Sequence, residues 1–281
     1  MVVVTALHIY PVKSAAGVTL TEAQMNMTGL RHDRAFMLIR PDGRHLSQRE
    51  APGLAQVHPE YDGAKLTVHT TLAPTPLICE PIDGPARRVT VHGRPCQGID
   101  QGDEAAAWFT AALGRPCRLV PFTGTRSTTR GDGTLTYADG APLSVLSTES
   151  LNDLNRRLDS PLPIDRFRPN LVLTGLGPYG EDTATRLRLG TTEIELTAFC
   201  GRCLILNTDQ RTARRERTPL HTLAGYRTRT SEAGRAIVFG RLAVPRVPGP
   251  LSVGDRVTVL ESDPVTALDS SALRPSSPAQ A

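Results

Sequence analysis

Length, composition and charge restrict what this chain can be. Its 281 residues are enough for one large domain or two modest ones. Lys and Arg total 32 against 28 for Asp and Glu, and the aromatic fraction is 4%. Because the basic residues are interleaved with acids and aromatic side chains for base stacking are scarce, nucleic acid is not expected as a partner. No apolar run approaches the ~20 residues that span a bilayer, so no membrane association is expected either.

The N-terminus and the cysteines predict the cellular compartment. Residues 1–7 contain no basic region or cleavage site and indicate a first β-strand rather than a signal peptide. The five cysteines are odd in number and scattered, so disulfides are not expected and a reducing cytoplasm is predicted. Residues 263–281, rich in Ser, Pro and Ala, are predicted to form a disordered tail.

Short strands separated by turns dominate the first half. Alternating apolar residues predict strands at residues 2–9, 34–40, 65–70, 88–91 and 118–120. A helix is predicted at residues 102–114, because acids stand in its first turn, alanine fills its middle and Gly114 stops it. The polar, basic stretch 123–132 has no apolar period and is predicted to be a linker or flexible loop.

The second half combines one further helix with more short strands. The helix is predicted at residues 147–158, where Ser147 supplies a hydroxyl cap. Leu151, Leu154 and Leu158 give this helix a single apolar stripe. Further strands are predicted at residues 143–146, 170–173, 186–190, 192–197, 237–240 and 256–260. The predicted fold class is therefore mixed α+β and rich in strands, with two β-rich domains of which at least one is a barrel, and with a few helices.

The most informative motif is a pair of cysteines, in Phe199-Cys200-Gly201-Arg202-Cys203. No second Cys-x-x-Cys or His-x-x-x-His pair completes a four-ligand zinc site. A thioredoxin-like dithiol would lie at a helix N-terminus after an early strand, whereas this pair follows a predicted strand late in the chain. We therefore predict one thiolate that faces an anionic ligand and does not bind zinc, with Arg202 favouring the thiolate form. The alternative is that both cysteines are small core residues.

A lysine and a hydroxyl follow the first predicted strand, in Tyr10-Pro11-Val12-Lys13-Ser14. Pro11 forces an extended or turning backbone, so this corner can present Lys13 and Ser14 to an anion. No glycine-rich loop precedes them, which excludes a P-loop. The alternative is an ordinary surface turn.

Two arginines stand just before predicted strands. Asp33 either orients Arg34 or forms a surface ion pair of little value with it. Arg168 is predicted to be held near the core, where a cation needs an anionic partner. A structural salt bridge from Arg168 to Glu181 or Asp182 is the alternative to a ligand.

In this order the motifs, with Asn170 directly after Arg168-Pro169, resemble those of MOSC proteins that have an N-terminal MOSC β-barrel domain. This branch includes the mitochondrial amidoxime-reducing component and bacterial YcbX-like relatives, and the resemblance covers about residues 3–260. It implies an N-terminal MOSC β-barrel domain at residues 1–122 and a MOSC domain at residues 123–262.

The resemblance implies a molybdenum cofactor, a pyranopterin dithiolene with a terminal phosphate, rather than pyridoxal phosphate. Cys203 matches the molybdenum ligand, and a soft thiolate suits such a metal. Six side chains match residues that hold the pterin and the phosphate: Lys13, Ser14, Arg34, Arg168, Asn170 and Arg202. Arginine forks suit the phosphate in particular.

Three further positions are assigned through the resemblance. Gly140 and Ala141 stand where relatives often have hydroxyl residues, so they are expected to contact the cofactor only through the backbone. Asp209 matches a family position near the site and is predicted to be catalytic, assisting proton delivery. Residues 210–213 replace a proline and a glycine that the family often carries, so the loop at the substrate entrance is expected to differ.

The function implied by the resemblance is the two-electron reduction of small N-hydroxylated compounds, which removes the N-bound oxygen. Electrons would come from a separate reductase, and the role would be detoxification in the cytoplasm. The alternative is a carrier of molybdenum cofactor or sulfur, in which Cys203 holds a persulfide for metal–sulfur assembly.

Overall fold

The computed structural model describes residues 1–231 and 234–263, and its regular structure consists mainly of strands. In chain order the strands are β1 (Val2–Ile9), β2 (Val18–Leu20), β3 (Glu22–Asn26), β4 (Gly29–Leu30), β5 (Phe36–Ile39), β6 (His58–Tyr61), β7 (Leu66–His69), β8 (Leu77–Cys79), β9 (Ala86–Val91), β10 (Arg94–Ile99), β11 (Arg118–Thr123), β12 (Leu143–Ser147), β13 (Leu171–Thr174), β14 (Ala184–Leu189), β15 (Thr192–Gly201), β16 (Thr228–Ser231), β17 (Gly234–Val247), β18 (Gly249–Ser252) and β19 (Arg256–Ser262). The α-helices are α1 (Gly102–Leu113), α2 (Thr148–Asn155), α3 (Gly180–Thr183) and α4 (Thr218–Tyr226). Short 3-10 helices lie at Pro52–Gln56, Ile164–Phe167 and Leu204–Asn207.

The largest sheet closes on itself. Its strand order is β12-β13-β1-β19-β14-β15-β17-β16, and β12 pairs with β17 as well as with β13. This additional pairing joins the two ends of the path from β12 to β17, so the sheet forms a barrel. Inward-facing apolar side chains such as Leu7, Leu143, Leu171 and Ile194 fill its interior. The predicted fold class, β-rich with a barrel and few helices, is confirmed.

Strands β3, β4 and β18 form a small sheet whose Met25, Leu30 and Leu251 pack into the barrel core. The other seven strands form a second unit with its own core. Its sheets have the orders β5-β11-β10-β9 and β6-β7-β8, and α1 packs against them. Phe36, Leu54 and Phe109 are almost completely buried in this core. The predicted first helix is confirmed, and it ends at Gly114, whose φ of 64° lies in the left-handed region that glycine adopts without strain.

The two units are interleaved in sequence, and the predicted boundary between residues 122 and 123 stays a prediction. β1 pairs with β13 and β19, and β3 pairs with β18, so strands β1 to β4 belong with the second half of the chain. The physical reason is that a barrel without β1 would leave two open edges of unpaired backbone groups. We propose two interleaved units in place of consecutive domains at residues 1–122 and 123–262.

Two other predicted elements differ from the structure. The stretch 123–132 is irregular but it is not a free linker, because Arg126 is only 7% exposed and donates hydrogen bonds to the carbonyls of Thr136 and Ala138. The second helix begins as predicted, with Ser147 Oγ accepting from Ser150 N at 3.1 Å, but α2 ends earlier than expected.

The predicted tail at residues 263–281 lies outside the described residues, apart from Asp263. Among the helices of residues 1–231 and 234–263, none combines the length and apolar character needed to cross a bilayer.

Three segments of the chain meet where the barrel adjoins the second unit, and they lie side by side. One segment follows β1, one follows β4 and one precedes β12. Arg34 N donates to Tyr10 O at 2.9 Å, and Tyr137 N donates to Arg34 O at 3.3 Å. The backbone therefore holds residues from all three segments next to one another at the junction of the two units.

Gly98→Ala is expected to lower the free energy of unfolding by roughly 1–3 kcal/mol through overpacking. Gly98 lies on β10, and a Cβ there would lie 2.3 Å from Tyr137 Oη and 2.9 Å from Val120 Cβ. Tyr137 is fully buried and its hydroxyl donates to the carbonyls of Gln97 and Pro121, so the ring has no room to retreat.

Gly225→Ala is the matched control for this prediction, measured in the same urea titrations. Gly225 lies in α4, and a Cβ there would meet no atom within 4 Å. Alanine should therefore stabilise the protein by roughly 0.5–1 kcal/mol through its helix propensity. Equal effects of the two substitutions would contradict the packing described around Tyr137.

Candidate functional site

A cavity of about 200 Å³ opens at the junction of the two units. It collects residues that are far apart in sequence, from the three segments that meet there, the start of β13 and the end of β15. Nine residues predicted to bind the cofactor or its metal line it: Lys13, Ser14, Arg34, Gly140, Ala141, Arg168, Asn170, Arg202 and Cys203. The structure thus brings together every predicted site residue except Asp209.

Two guanidinium groups lie over the ring of Tyr10. The Cζ atoms of Arg34 and Arg168 are 4.3 Å and 4.1 Å from the ring centre, distances at which a cation is attracted by an aromatic face. Tyr10 is 2% exposed and its hydroxyl donates to Pro169 O at 3.1 Å. Burial raises the pKa of Tyr10 to about 12 and lowers the pKa of Arg168 to about 10. Tyr10 thus orients both cations toward the cavity without competing for their charge.

Asp33 and Arg34 form an ion pair inside the protein. Their side chains are 2% and 15% exposed, so the surface-pair alternative is wrong and Asp33 does orient Arg34. Asp33 Oδ1 also accepts from Tyr10 N at 2.8 Å. Arg34 Nη1 donates to Asn170 Oδ1 at 3.0 Å, which links the segment after β4 to the start of β13.

Three cavity residues that are not glycine have left-handed backbones. The φ angles of Ser14, Arg34 and Arg168 are 68°, 46° and 54°. Such conformations are strained for residues with a Cβ and persist only where surrounding contacts fix them, which happens most often at functional sites.

Lys13 does not lie on a surface turn, so that alternative is wrong as well. Its side chain is 7% exposed, and Nζ donates to Tyr137 O at 2.9 Å and to the carboxylate of Asp139. Burial lowers the pKa of Lys13, and the adjacent Asp139 opposes this effect. Asp139 Oδ1 also lies 3.0 Å from His92 Nε2, within hydrogen-bond distance. The lysine therefore reaches the cavity wall with part of its charge already balanced.

The two cysteines are half-buried in the cavity wall, so they are not core residues as the alternative supposed. Cys200 is the second-to-last residue of β15, and Cys203 directly precedes a 3-10 helix. Arg49 Nη2 donates to Cys203 Sγ at 3.0 Å. Arg202, between the cysteines, donates to the carbonyls of Phe167 and Phe239 at 2.6–2.9 Å. The cation beside the sulfur is therefore Arg49 rather than the predicted Arg202.

Arg168 lines the cavity, and it has no carboxylate partner among the residues that the structure describes. The alternative partners are engaged elsewhere, since Glu181 accepts from Ser150 Oγ at 2.9 Å and Asp182 pairs with Arg227 at 2.7 Å. Arg168 Nη1 instead donates to the side-chain oxygen of a glutamine, Gln210, at 3.3 Å. The alternative, a structural salt bridge from Arg168 to Glu181 or Asp182, is therefore not formed.

A pair of glutamines connects the site to the loop after Asp209. Gln210 Nε2 donates to Gln48 Oε1 at 3.1 Å, and Gln48 Nε2 donates to Ser14 O at 2.9 Å. Gln48 is completely buried. The departure from the family pattern at residue 210 thus adds a side chain that ties this loop to Ser14 and Arg168.

Asp209 does not line the cavity, and its carboxylate is fully engaged. Oδ1 accepts from Arg211 N, Thr212 N and Thr212 Oγ1 at 2.8–3.0 Å, and Oδ2 accepts from Arg166 Nη2 at 2.9 Å. Burial raises the pKa of Asp209, but these donors outweigh it and lower the pKa below its usual value. A carboxylate held in this way is a poor proton donor. We propose a structural role for Asp209 in place of the predicted catalytic one.

Sequence reasoning missed Arg49, Gln48, Asp139 and Arg166, all of which contact site residues. The local sequence around them carries no periodic or motif signal. Ser47-Gln48-Arg49 reads as a polar loop after a hairpin, and only the fold places it against Cys203.

The residues present fit a phosphorylated cofactor that carries a soft metal. Arg168 is a half-buried cation with no carboxylate partner in residues 1–231 and 234–263, and a phosphate would supply the missing charge. Within the described part of the chain, no group of three His, Cys, Asp or Glu side chains could hold a metal ion. A single thiol, Cys203, suits a metal whose other ligands arrive with the cofactor.

Fold and site together define a two-unit β-barrel protein with a cation-lined, thiol-bearing cleft at the junction. The family described as "MOSC N-terminal beta barrel domain" matches residues 1–116, and the family described as "MOSC domain" matches residues 132–258. The chain is 33% identical over 278 residues to "Mitochondrial amidoxime-reducing component 1" of Mus musculus, covering 92% of this chain and 82% of that protein. The chain therefore belongs to the MOSC proteins with an N-terminal MOSC β-barrel domain, the group that contains the mitochondrial amidoxime-reducing components.

The chain is also similar to two other proteins. The chain is 32% identical over 265 residues to "Molybdenum cofactor sulfurase" of Oryza sativa subsp. japonica, covering 84% of this chain and 32% of the rice protein. The crystal structure of the YuaD protein from Bacillus subtilis superposes with a TM-score of 0.43 at 10% identity, covering 92% of this chain and 94% of that one.

Asp33→Asn is expected to lower the free energy of unfolding by roughly 3–5 kcal/mol, because it leaves Arg34 buried without its counter-charge. Asp42→Asn is the matched control, since Asp42 pairs with Arg44 at the surface with side chains 44% and 61% exposed. The control should change stability little. Denaturant titrations of the two variants would show similar losses if the Asp33–Arg34 pair contributed no more than a surface pair.

Proposed function

We propose that this chain is a molybdenum-cofactor-dependent oxidoreductase that removes the N-bound oxygen of small N-hydroxylated compounds in a two-electron reduction. The observation that carries the proposal is the cleft, in which the Cys203 thiol faces the same cavity as the Arg168 guanidinium, which pairs with no carboxylate in the described part of the chain. The 33% identity to an amidoxime-reducing component supports this reaction class over other uses of the same cleft.

The cavity residues divide into two groups by the donors they have left for a ligand. Arg168 has the most free donors, since its side chain forms one hydrogen bond within the described residues, to Gln210. Ser14 and the backbone of Gly140 and Ala141 also line the cavity. We expect this group to contact the phosphate and the pterin directly.

The other group is engaged mainly with protein atoms. Asn170 Oδ1 accepts from Arg34 and Ser144, and its Nδ2 donates to His8 O at 3.1 Å. The guanidinium of Arg202 donates its hydrogen bonds to main-chain carbonyls. We propose that Asn170 and Arg202 act chiefly as positioning residues that fix the cavity wall.

Cys203 would hold the metal through Sγ, and Arg49 would place a positive charge beside that sulfur. When bound, the cofactor supplies the molybdenum at which oxygen removal takes place. We further propose that a separate reductase protein supplies the electrons and that the enzyme works in the cytoplasm, in detoxification.

A second candidate is a cofactor or sulfur carrier in which Cys203 holds a persulfide. The 32% identity to a molybdenum cofactor sulfurase is the observation that favours it, although the match spans about a third of the rice protein's length. The two candidates differ in what the purified protein contains.

Cys203→Ser is expected to lose both molybdenum and activity, whereas Cys200→Ser should retain both. The two thiols are a matched pair, because both are half-buried in the same cavity wall and only Cys203 accepts from Arg49. The measurements are elemental molybdenum content and the reduction of a hydroxylated purine with a chemical electron donor. Sulfane sulfur on Cys203 without molybdenum would support the carrier instead.

Asp209→Asn is expected to reduce turnover by less than about tenfold, because Asp209 has a structural role in this proposal. A general acid would contribute ~10²-fold or more. The substitution should instead lower the thermal midpoint, since Arg166, only 2% exposed, loses its 2.9 Å partner. Glu216→Gln is the control, because Glu216 lies 3.7 Å from the same arginine and is 52% exposed. A hundredfold loss of turnover with unchanged stability would restore the catalytic role of Asp209.

A further inference from the structure

A second and larger cavity, of about 660 Å³, adjoins the first. Four residues form a wall common to both: Asp139, Gly140, Gly201 and Leu242. The rest of its lining comes from the turn between β9 and β10, the stretch after β11 and strands β15 to β17. No predicted site residue that bears a charge lines it, so the proposed function leaves it unexplained.

Cations dominate the lining of this second cavity. Four arginines face it, Arg94, Arg126, Arg130 and Arg229, together with His92. The lining contains one carboxylate, that of Asp139, which already contacts Lys13 and His92. Formally the lining therefore carries four positive charges against one negative charge that is shared with the first cavity.

None of the four arginines forms an ion pair with another residue in the described ranges 1–231 and 234–263. Arg126 is the most informative, because it is 7% exposed and its recorded hydrogen bonds go only to the carbonyls of Thr136 and Ala138. A buried guanidinium without a counter-charge is costly, and an anion bound in the cavity would remove that cost.

The position of Arg229 is also fixed. Its Cζ lies 3.9 Å from the ring centre of Phe199, and Arg241 lies 4.6 Å from the same ring. A guanidinium that is held in place loses little freedom when it binds an oxyanion, and its fork matches the two oxygens of a carboxylate or phosphate.

We propose that the second cavity binds the phosphate or carboxylate group of a small molecule, at a site separate from the cofactor cleft. The volume exceeds what a free inorganic ion needs, so the group belongs to a larger molecule, and the common wall places that molecule beside the cofactor cleft. The site does not depend on the proposed reaction, because its lining does not include Cys203, Arg168 or Lys13.

The test is a calorimetric titration of the purified, cofactor-containing protein with inorganic phosphate at constant ionic strength, and separately with ribose 5-phosphate. Saturable binding of both is expected, with the sugar phosphate at least as tight. Arg94→Gln combined with Arg130→Gln should weaken both by at least about tenfold, since charge-assisted hydrogen bonds are lost. Both side chains are exposed, and neither forms a hydrogen bond or an ion pair with the residues that the structure describes, so this variant should fold normally.

Arg115→Gln is the matched control, an exposed arginine after α1 that lines neither cavity, and it should bind like the wild type. Arg126→Gln, which removes the buried charge, should also weaken binding. The absence of saturable binding would overturn the proposal, as would equal binding by the double variant. Binding only to protein prepared without cofactor would overturn it too, because the cavity would then belong to the cofactor site.

Discussion

The contact on which the junction depends is the one between Tyr10 and the two guanidinium groups over its ring. Tyr10 belongs to the segment that leaves the barrel, Arg34 to the segment that enters the second unit, and Arg168 to the start of β13. One aromatic ring thus gathers three parts of the chain. Asp33 completes the arrangement, because it binds both Arg34 and the backbone of Tyr10 inside the protein. Like charges brought so close need the ring and the carboxylate between them, and a bound anion would relieve their repulsion further.

The cleft is therefore a by-product of how the two units are joined. Left-handed backbones at Ser14, Arg34 and Arg168 turn the chain sharply at the junction, and the hydrogen bonds between its segments hold these turns in place. Strain of this kind is stable only because the barrel and the second unit have cores of their own. The same geometry leaves cations facing a cavity. Arginines on the surface would instead be solvated and paired.

Sequence patterns gave most of the local structure and most of the cleft lining, but not the arrangement. The helices at α1 and α2 carry strong signals, an alanine-rich middle ending in Gly114 and a Ser147 cap. The cavity residues were assigned through motifs that resemble those of a known family, and that resemblance implied their roles. Arg49 and Asp139 had no such signal, since their roles come from partners more than 100 positions away. The structural role proposed for Asp209 could not be predicted for a related reason: a family position near a site does not show which way a carboxylate points or which donors it accepts from.

The closure of the barrel through β1 has a consequence for how the protein reaches its native state. Val2 lies opposite Val257, and Val3 lies opposite both Arg256 and Thr174, so the first strand made is flanked by strands made much later. During synthesis β2 can pair early with Leu7, His8 and Ile9, but the start of β1 stays unpaired until β13 and β19 have emerged. Pairings between such distant segments form slowly, because a large loop entropy is lost before the contacts form. The second unit, whose strands are close together in sequence, can assemble first and keep the cleft residues near one another while the barrel closes.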